Sequence, residues 1–280
     1  MTRFPTDAEY LIFTVDRGRY GIPCLEVVSV MDIPACTLMP HMPRDVRGVM
    51  PFRGRSIPLL DLRVSFGARA RLEETEELVT TMGQRKQDHI NWLNKLKDEV
   101  YGGKPITVQT DPHKCAFGKW YDQFHSDNAN LAAYMRRFDT PHQGIHRVAI
   151  EAAELLRMKQ NDQARDLVQR TETGVLIRLL ELFDGIADQV RKYLLEYAII
   201  LQVDGELFAV TVDDINLFSR LTRIEYPMPA GTSSHPSSLV QALGRYRAEI
   251  DAEEQDVLLL DMARITLPGS DQILAAQERL

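Results

Sequence analysis

The chain of 280 residues has only three cysteines, Cys24, Cys36 and Cys115. They are too few and too scattered for a disulfide framework, so each is read alone. Cys24, in the apolar run GIPCLEVV, reads as a buried inert thiol, and Cys36, between Pro34 and Pro40, reads as a loop thiol. A basic surplus is also missing: 33 Lys and Arg stand against 40 Asp and Glu, a formal net charge of −7. A nucleic-acid reader needs cations to meet phosphates, so that class is disfavoured and no nucleic-acid partner is expected. No run of about 18 to 20 apolar residues occurs, and the opening MTRFPTDAEY lacks an apolar signal core. Membrane insertion is therefore not expected, and the cytoplasm is the expected location. No Ser/His/Asp triad, phosphate-binding glycine loop or paired-carboxylate spacing stands out.

What remains is ordinary globular material, 44% hydrophobic and 26% charged, long enough for roughly two domains with real cores. The acidic excess lies at the end, where residues 195–280 carry 6 basic and 14 acidic groups, and it reads as a solvated surface. The two ends look alike. YLIFTVDRGRYGI at 10–22 parallels AIILQVDGELFAV at 198–210, each an apolar run, a Val-Asp, a glycine-containing turn and a second β-prone run. Both predict hairpins. Leu59-Leu60-Asp61-Leu62 and Leu259-Leu260-Asp261-Met262 form a second such pair, in which Asp61 is expected to end a strand or cap a turn.

Between the ends, from about 70 to 195, the spacing is helical. His89, Leu93, Leu96 and Val100 share one face of a helix that stops at Gly102-Gly103. His142, His146, Ala149, Ala153 and Leu156 form a second stripe, and Leu176, Leu179, Phe183, Ile186, Val190 and Tyr193 a third. Gly174 and Gly185 are expected to weaken that last helix by about 1 kcal/mol each relative to Ala. The simplest architecture is a β module interrupted by a helical bundle, with junctions near Phe66-Gly67 and Leu194-Leu195.

Five of the seven histidines, together with Cys115, lie in that helical segment. His142 and His146, four apart, can reach one ion from one helix face. A further imidazole and a thiolate from facing helices complete a tetrahedral set, and His89 and Cys115 are the best candidates. His113 and His125 remain alternatives on composition alone.

His89-Ile-Asn-Trp92, then Cys115-Ala-Phe117-Gly118-Lys-Trp120, then His142-x-x-x-His146, resemble the chemoreceptor zinc-binding domain, a helical bundle with HxxW, CxFGxW and HxxxH blocks. The resemblance spans roughly residues 70 to 194 and implies Zn2+ held by His89, Cys115, His142 and His146, with Trp92, Phe117 and Trp120 in the core. Three imidazoles and one thiolate fill zinc's four usual positions and leave none for an activated water, so an enzyme is not expected. Asp111-Pro112 reads as an N-cap and first helical residue. That places Cys115 in the first turn, where the helix dipole and Lys114 favour a thiolate and make it the expected redox-sensitive residue.

The flanking stretch from Arg47 to Asp61-Leu62, with its RGxxIPxxDL core, resembles the CheW-like coupling domain. Val210-Thr-Val212-Asp213 falls where that family has its second signature run, with Ala209 where glycine is common. This resemblance covers about 1–67 and 195–280. It implies an α+β multidomain chain: a CheW-like pair of small five-stranded β-barrels (1–67 and 195–280) interrupted by an all-α zinc-binding bundle (68–194). It also implies a chemotaxis adaptor that binds the regulatory domain of the histidine kinase CheA and the cytoplasmic tip of chemoreceptors, with the Arg53-Gly54 turn at the receptor contact. The expected function is coupling of receptor to kinase, modulated by zinc or by oxidation of Cys115. The alternatives are a zinc-dependent enzyme using the three histidines, and an adaptor whose zinc bundle is purely structural and serves homodimerisation.

Overall fold

The computed structural model describes residues 4–5, 8–38, 42–126, 128–225, 239–248 and 252–267. Residues 268–280 of the expected C-terminal half lie outside the described residues. The fold is α+β, in two compact units: Met1–Glu73 with Leu195–Leu280, and Glu74–Leu194.

The first unit holds two sheets built from both ends of the chain. The N-terminal part supplies β1 (Glu9–Val15), β2 (Gly18–Pro23), β3 (Val27–Asp32), β4 (Val46–Phe52) and β5 (Arg55–Asp61). The C-terminal part supplies β6 (Tyr197–Val203), β7 (Glu206–Val212), β8 (Asp214–Arg220), β9 (Arg223–Glu225), β10 (Val240–Tyr246) and β11 (Gln255–Leu260). Both expected hairpins form. β1 and β2 close across Val15↔Gly18, with Asp16 at φ +53° between them. β6 and β7 close across Val203↔Glu206, with Asp204 and Gly205 at φ +50° and +92°, the pairing of positive angles that a tight hairpin turn requires.

Each sheet mixes the two ends. One has the order β8-β1-β2-β11-β10-β9, and the other the order β3-β6-β7-β5-β4, so among the described residues one sheet has six strands and its counterpart five. The mixing occurs at two parallel ladders, β2 on β11 (Tyr20↔Leu258) and β5 on β7 (Leu59↔Ala209). The N-terminal hairpin thus completes a sheet made mostly of C-terminal strands, and the C-terminal hairpin completes the sheet of N-terminal strands.

Side-chain alternation explains why these strands read as continuous apolar runs. Leu11, Phe13 and Val15 enter one core with Ile199, Leu201 and Val203, while their neighbours Tyr10 and Ile12 enter a second and Ala198 and Ile200 a third. A strand buried on both faces has no polar side to show. After β5 and β11 the paired Leu-Leu-Asp motifs do the same job. Asp61 caps a short helix α1 (Leu62–Ser65) by accepting from the Val64 N–H at 3.2 Å, and Asp261 caps a 3₁₀ turn by accepting from the Ala263 N–H at 3.2 Å.

Three ion pairs of this unit stand where the chain leaves for the helical segment and where it returns. Buried Arg63 donates to Asp213 Oδ2 at 2.7 Å, and Arg71, the first residue of α2 (Arg71–Tyr101), reaches the same oxygen at 2.9 Å. On the return, Arg47 of β4 pairs with the buried carboxylate of Glu196 at 2.7 Å.

The second unit continues α2 and adds α3 (Ala116–Tyr121), α4 (Ala129–Arg136), α5 (Asp139–Arg157), α6 (Asn161–Thr173) and α7 (Val175–Tyr193). His89, Leu93, Leu96 and Val100 are buried along α2. The helix ends in a Schellman pattern, Lys104 N–H to Glu99 carbonyl at 2.8 Å and Gly103 N–H to Val100 carbonyl at 3.3 Å, with Gly103 at φ +63°. Two details differ from the periodicity. The buried stripe of α5 passes from Ala149 to Ala152, three residues on, and leaves Ala153 exposed. Gly174 lies between α6 and α7 and not within a helix, so its helix penalty does not arise. Gly185 is inside α7 for a packing reason: a Cβ there would run into the Tyr134 hydroxyl, which donates to the Leu182 carbonyl at 2.7 Å.

Candidate metal centre

Three elements of the helical unit bring four side chains together. His89 comes from α2, His142 and His146 from successive turns of α5, and Cys115 from the residue that opens α3. One ligand-capable atom from each lies within 4.8 Å of all the others. Two bonds of about 2.0 to 2.3 Å to a single zinc ion would nearly cover that span. The three imidazoles are buried, at 3%, 5% and 1% exposure for His89, His142 and His146.

The backbone orients the rings. His89 Nδ1 lies 2.7 Å from the Arg85 carbonyl, one turn back on its own helix, and His146 Nδ1 lies 2.8 Å from the Gln109 carbonyl. A carbonyl only accepts, so in both rings Nδ1 carries the proton and Nε2 holds the lone pair. Both Nε2 atoms are buried and have no hydrogen-bond partner among the described residues. A buried imidazole nitrogen left that way costs free energy unless something takes its lone pair, and a metal ion does so. His142 Nε2 faces Cys115 Sγ at 3.2 Å, so the remaining two ligands meet each other.

The electrostatics agree with a ligand set of neutral rings. Burial lowers His89 to about 4 and His142 to about 3, with neighbouring histidines adding to the shift at both, and burial lowers His146 as well. All three stay neutral at pH 7 and offer lone pairs.

Aromatic packing fixes the floor. Phe117 is buried, with its ring centroid 4.8 Å from His142 and 5.9 Å from His89, and Phe183 of α7 lies 5.6 Å from His89. Gly118 is demanded by its surroundings, because a Cβ there would occupy the space of the Pro112 carbonyl. That close approach lets the Gly118 N–H donate to Cys115 Sγ at 3.2 Å.

Residues 9–87 match the CheW-like domain, and residues 89–153 match the chemoreceptor zinc-binding domain. The chain joins a CheW-like domain to a chemoreceptor zinc-binding domain. Over 79 residues it is 35% identical to the chemotaxis protein CheW of Klebsiella aerogenes, covering 28% of this chain and 48% of that protein. Identity to the chemotaxis protein CheW of Helicobacter pylori is 29% over 92 residues, 33% of this chain and 56% of that protein. The chain thus spans about half the length of the curated relatives it matches. The scaffolding protein TtCheW from Thermoanaerobacter tengcongensis aligns with 94% of this chain and 89% of its own, at a TM-score of 0.40 and 11% identity.

Within the zinc-binding domain, the structure assembles His89, Cys115, His142 and His146 and keeps the two alternatives away. His113 is exposed and bonds the Asp122 carboxylate at 3.0 Å, and His125 bonds the Gln123 carbonyl at 2.8 Å. Cys115 departs from the expectation in detail. It is the N-cap of α3, not a residue of a first turn, because Pro112–Lys114 form a separate 3₁₀ turn capped by Asp111. Lys114 pairs with Asp111 at 3.1 Å. Burial pushes the Cys115 thiol up, opposed by the Gly118 and Phe117 N–H groups. The α3 N–H groups thus favour the thiolate but do not overcome its burial, and a cation at the site would favour it further.

In the CheW-like domain, Arg53 and Gly54 form the two-residue turn of the β4–β5 hairpin, at φ +48° and +75°, and both are exposed. The Arg53 guanidinium lies 5.0 Å from the Phe52 ring centroid. Residues that sequence reading missed are the carbonyl suppliers Arg85 and Gln109: a backbone oxygen leaves no trace in residue identity. Trp92, read as core, has a positioning part, since its indole N–H donates to the Gln109 carbonyl at 2.8 Å. Among the described residues no helix is long and apolar enough to cross a membrane.

Proposed function

We propose that this chain is a cytoplasmic adaptor of a chemosensory array, with residues 1–67 and 195–280 as its CheW-like coupling part and 68–194 as an inserted zinc-binding sensor. The reading rests above all on the two orphaned Nε2 atoms of His89 and His146, which point a ready donor set at one buried position inside a chain whose N-terminal part is CheW-like. His89, Cys115, His142 and His146 hold Zn2+. When bound, the ion supplies a cross-link among α2, the α3 N-terminus and α5, and with four protein ligands it has no open position for substrate water.

The coupling part binds the regulatory domain of the kinase CheA and the cytoplasmic tip of a chemoreceptor, the latter through Arg53 and Gly54. Attack of Cys115 Sγ on a peroxide-class oxidant forms an S–O bond, breaks the peroxide O–O bond and releases water or an alcohol, leaving a sulfenate that would be a poorer zinc ligand and would loosen the cross-link. Two measurements test this reading. Zinc content should be one per chain and should drop in Cys115→Ala and His146→Ala; unchanged stoichiometry in both variants removes the ligand assignment. Capture of a receptor signalling tip and the kinase regulatory domain should change when zinc is chelated. Capture that is absent under both conditions defeats the adaptor reading, and capture indifferent to chelation leaves zinc with a structural role alone.

A further inference from the structure

A cavity of about 540 Å³ opens between α5 and α7 at the end of α4, away from the four ligand side chains in its lining. That volume is in the range of small-molecule sites. Three arginines line it, Arg137, Arg147 and Arg178, against one acidic residue, Glu181. Such a concentration is unusual for a chain with net charge −7. None of the three arginines has an ion-pair partner among the described residues. Arg85, Arg165 and Arg191 of the same unit each pair with an aspartate three residues away.

Like charges gathered on one cleft repel, and an anion between them relieves the repulsion. The neighbourhood is also prepared for one. The Arg137 guanidinium lies 5.1 Å from the Tyr134 ring centroid, and that ring is held by its hydroxyl bond to the Leu182 carbonyl. α7 begins at Val175, on the cavity wall, and Gly174 gives it no side-chain cap, so its leading N–H groups add partial positive charge. Tyr134 and Leu182, both buried, with Val175 and Pro141, supply apolar surface beside the charge.

We propose that this cavity binds a small organic dianion, with carboxylate or phosphate groups on a compact apolar body. Guanidinium forks match either group in bidentate fashion, the uncapped α7 start adds a further donor edge, and the ring of Tyr134 and the side chain of Leu182 receive the body of the ligand. The site shares helix α5 with His142 and His146 but uses none of the proposed metal ligands, so it stands independently of the zinc reading.

The test is calorimetric titration of the zinc-loaded full chain with phenyl phosphate and with isophthalate, in buffer of fixed chloride concentration. One equivalent of at least one probe should bind, and affinity should fall at least tenfold in Arg147→Gln/Arg178→Gln. It should hold in Arg165→Gln, which removes a paired arginine elsewhere in the unit. Binding of phenyl phosphate alone assigns phosphate esters, and binding of isophthalate alone assigns dicarboxylates. All three arginines are exposed, so the variants should keep their circular dichroism and zinc content. Absence of binding by both probes at millimolar concentration overturns the proposal, as does binding that survives the double substitution. So does a self-association of the chain that the double substitution abolishes, which would make the cleft a contact between copies.

Discussion

Trp92 and His146 share one acceptor. The Gln109 carbonyl receives the Trp92 indole N–H and the His146 Nδ1–H, each at 2.8 Å, and the two rings meet at a centroid distance of 5.1 Å. The first and last sequence blocks of the zinc-binding domain are thus tied through a peptide group that belongs to neither. Trp92→Phe keeps the ring and every ligand but removes one of the two bonds that place this carbonyl. Outer partners of metal-bound histidines typically carry 10- to 100-fold in affinity, so zinc affinity should fall by about tenfold. Competition with a chromophoric chelator measures it, and an affinity equal to that of the parent chain rules out the positioning part given to Trp92.

Helical spacing puts His89 in register with Leu93, Leu96 and Val100, and His142 one turn before His146, but it leaves His113 and His125 open as alternatives; the four side chains that the structure gathers are singled out together by the resemblance. Such periodicity is a local property that a linear reading captures. What surrounds the ligands was less legible, since the Arg85 and Gln109 carbonyls act through backbone atoms that every residue type carries. The same limit applies to the sheets. Each hairpin was readable from a Val-Asp turn and two apolar runs, but the parallel pairing of Tyr20 with Leu258 and of Leu59 with Ala209 joins positions far apart in the chain. Nothing within either segment names its partner, because a strand buried on both faces shows only hydrophobicity.

Gly118 is the point where the backbone crowds the site. Gly118→Ala forces the new methyl group against the Pro112 carbonyl, and overpacking of this kind typically costs about 1 to 3 kcal/mol. The displaced turn also loses the N–H bond to Cys115. The expected outcome is lower zinc retention on dialysis and a lower thermal midpoint, measured on the zinc-loaded chain. Retention and midpoint both matching the parent would show that the Pro112 turn moves aside freely.

Acid should weaken the zinc-free helical unit in a defined window. His89, His142 and His146 are neutral when folded because burial lowers them, His89 to about 4 and His142 to about 3. In the unfolded chain they titrate near an ordinary value of about 6.5. Above that pH neither state binds the protons and the rings are indifferent to pH. Below it the unfolded state takes them up first, so stability is lost as pH falls from about 6.5 toward about 4. Both tryptophans, Trp92 and Trp120, lie in this unit, so urea unfolding followed by tryptophan fluorescence reports it directly. The zinc-free midpoint should be lower at pH 5 than at pH 7, and equal midpoints would contradict the buried neutral state of the three rings.

Asp213 organises the outward junction of the β unit. Its Oδ2 receives the Arg63 and Arg71 guanidiniums and the Asp16 N–H at 2.7 to 2.9 Å. Asp213→Ala leaves the buried guanidinium of Arg63 without that carboxylate, a loss that typically costs about 3 to 5 kcal/mol. Urea unfolding followed by circular dichroism should show the destabilised β unit, while the tryptophan signal and zinc content stay near their parent values. A fluorescence midpoint displaced as far as the dichroism midpoint would mean that the two units unfold together.

Arg47 offers a sharper test of communication, because it connects two features of one strand. β4 carries Arg47 at its start and leads into the Arg53-Gly54 turn at its end, and Arg47 holds Glu196 in the segment through which the chain returns from α7. Burial raises the Glu196 carboxyl, and Arg47 opposes that shift by favouring the charged form. In Arg47→Gln the carboxyl loses its cation, the burial that raises it goes unopposed by Arg47, and the return segment is no longer held to β4 by an ion pair. Zinc binding, which lies wholly within the helical unit, should be unchanged. If the return segment carries the state of the zinc site to the hairpin, capture of a receptor tip by the zinc-loaded variant should match that by its chelated form, whereas the parent distinguishes the two. A variant that still responds to chelation as the parent does would place the communication elsewhere, at the Asp213 junction.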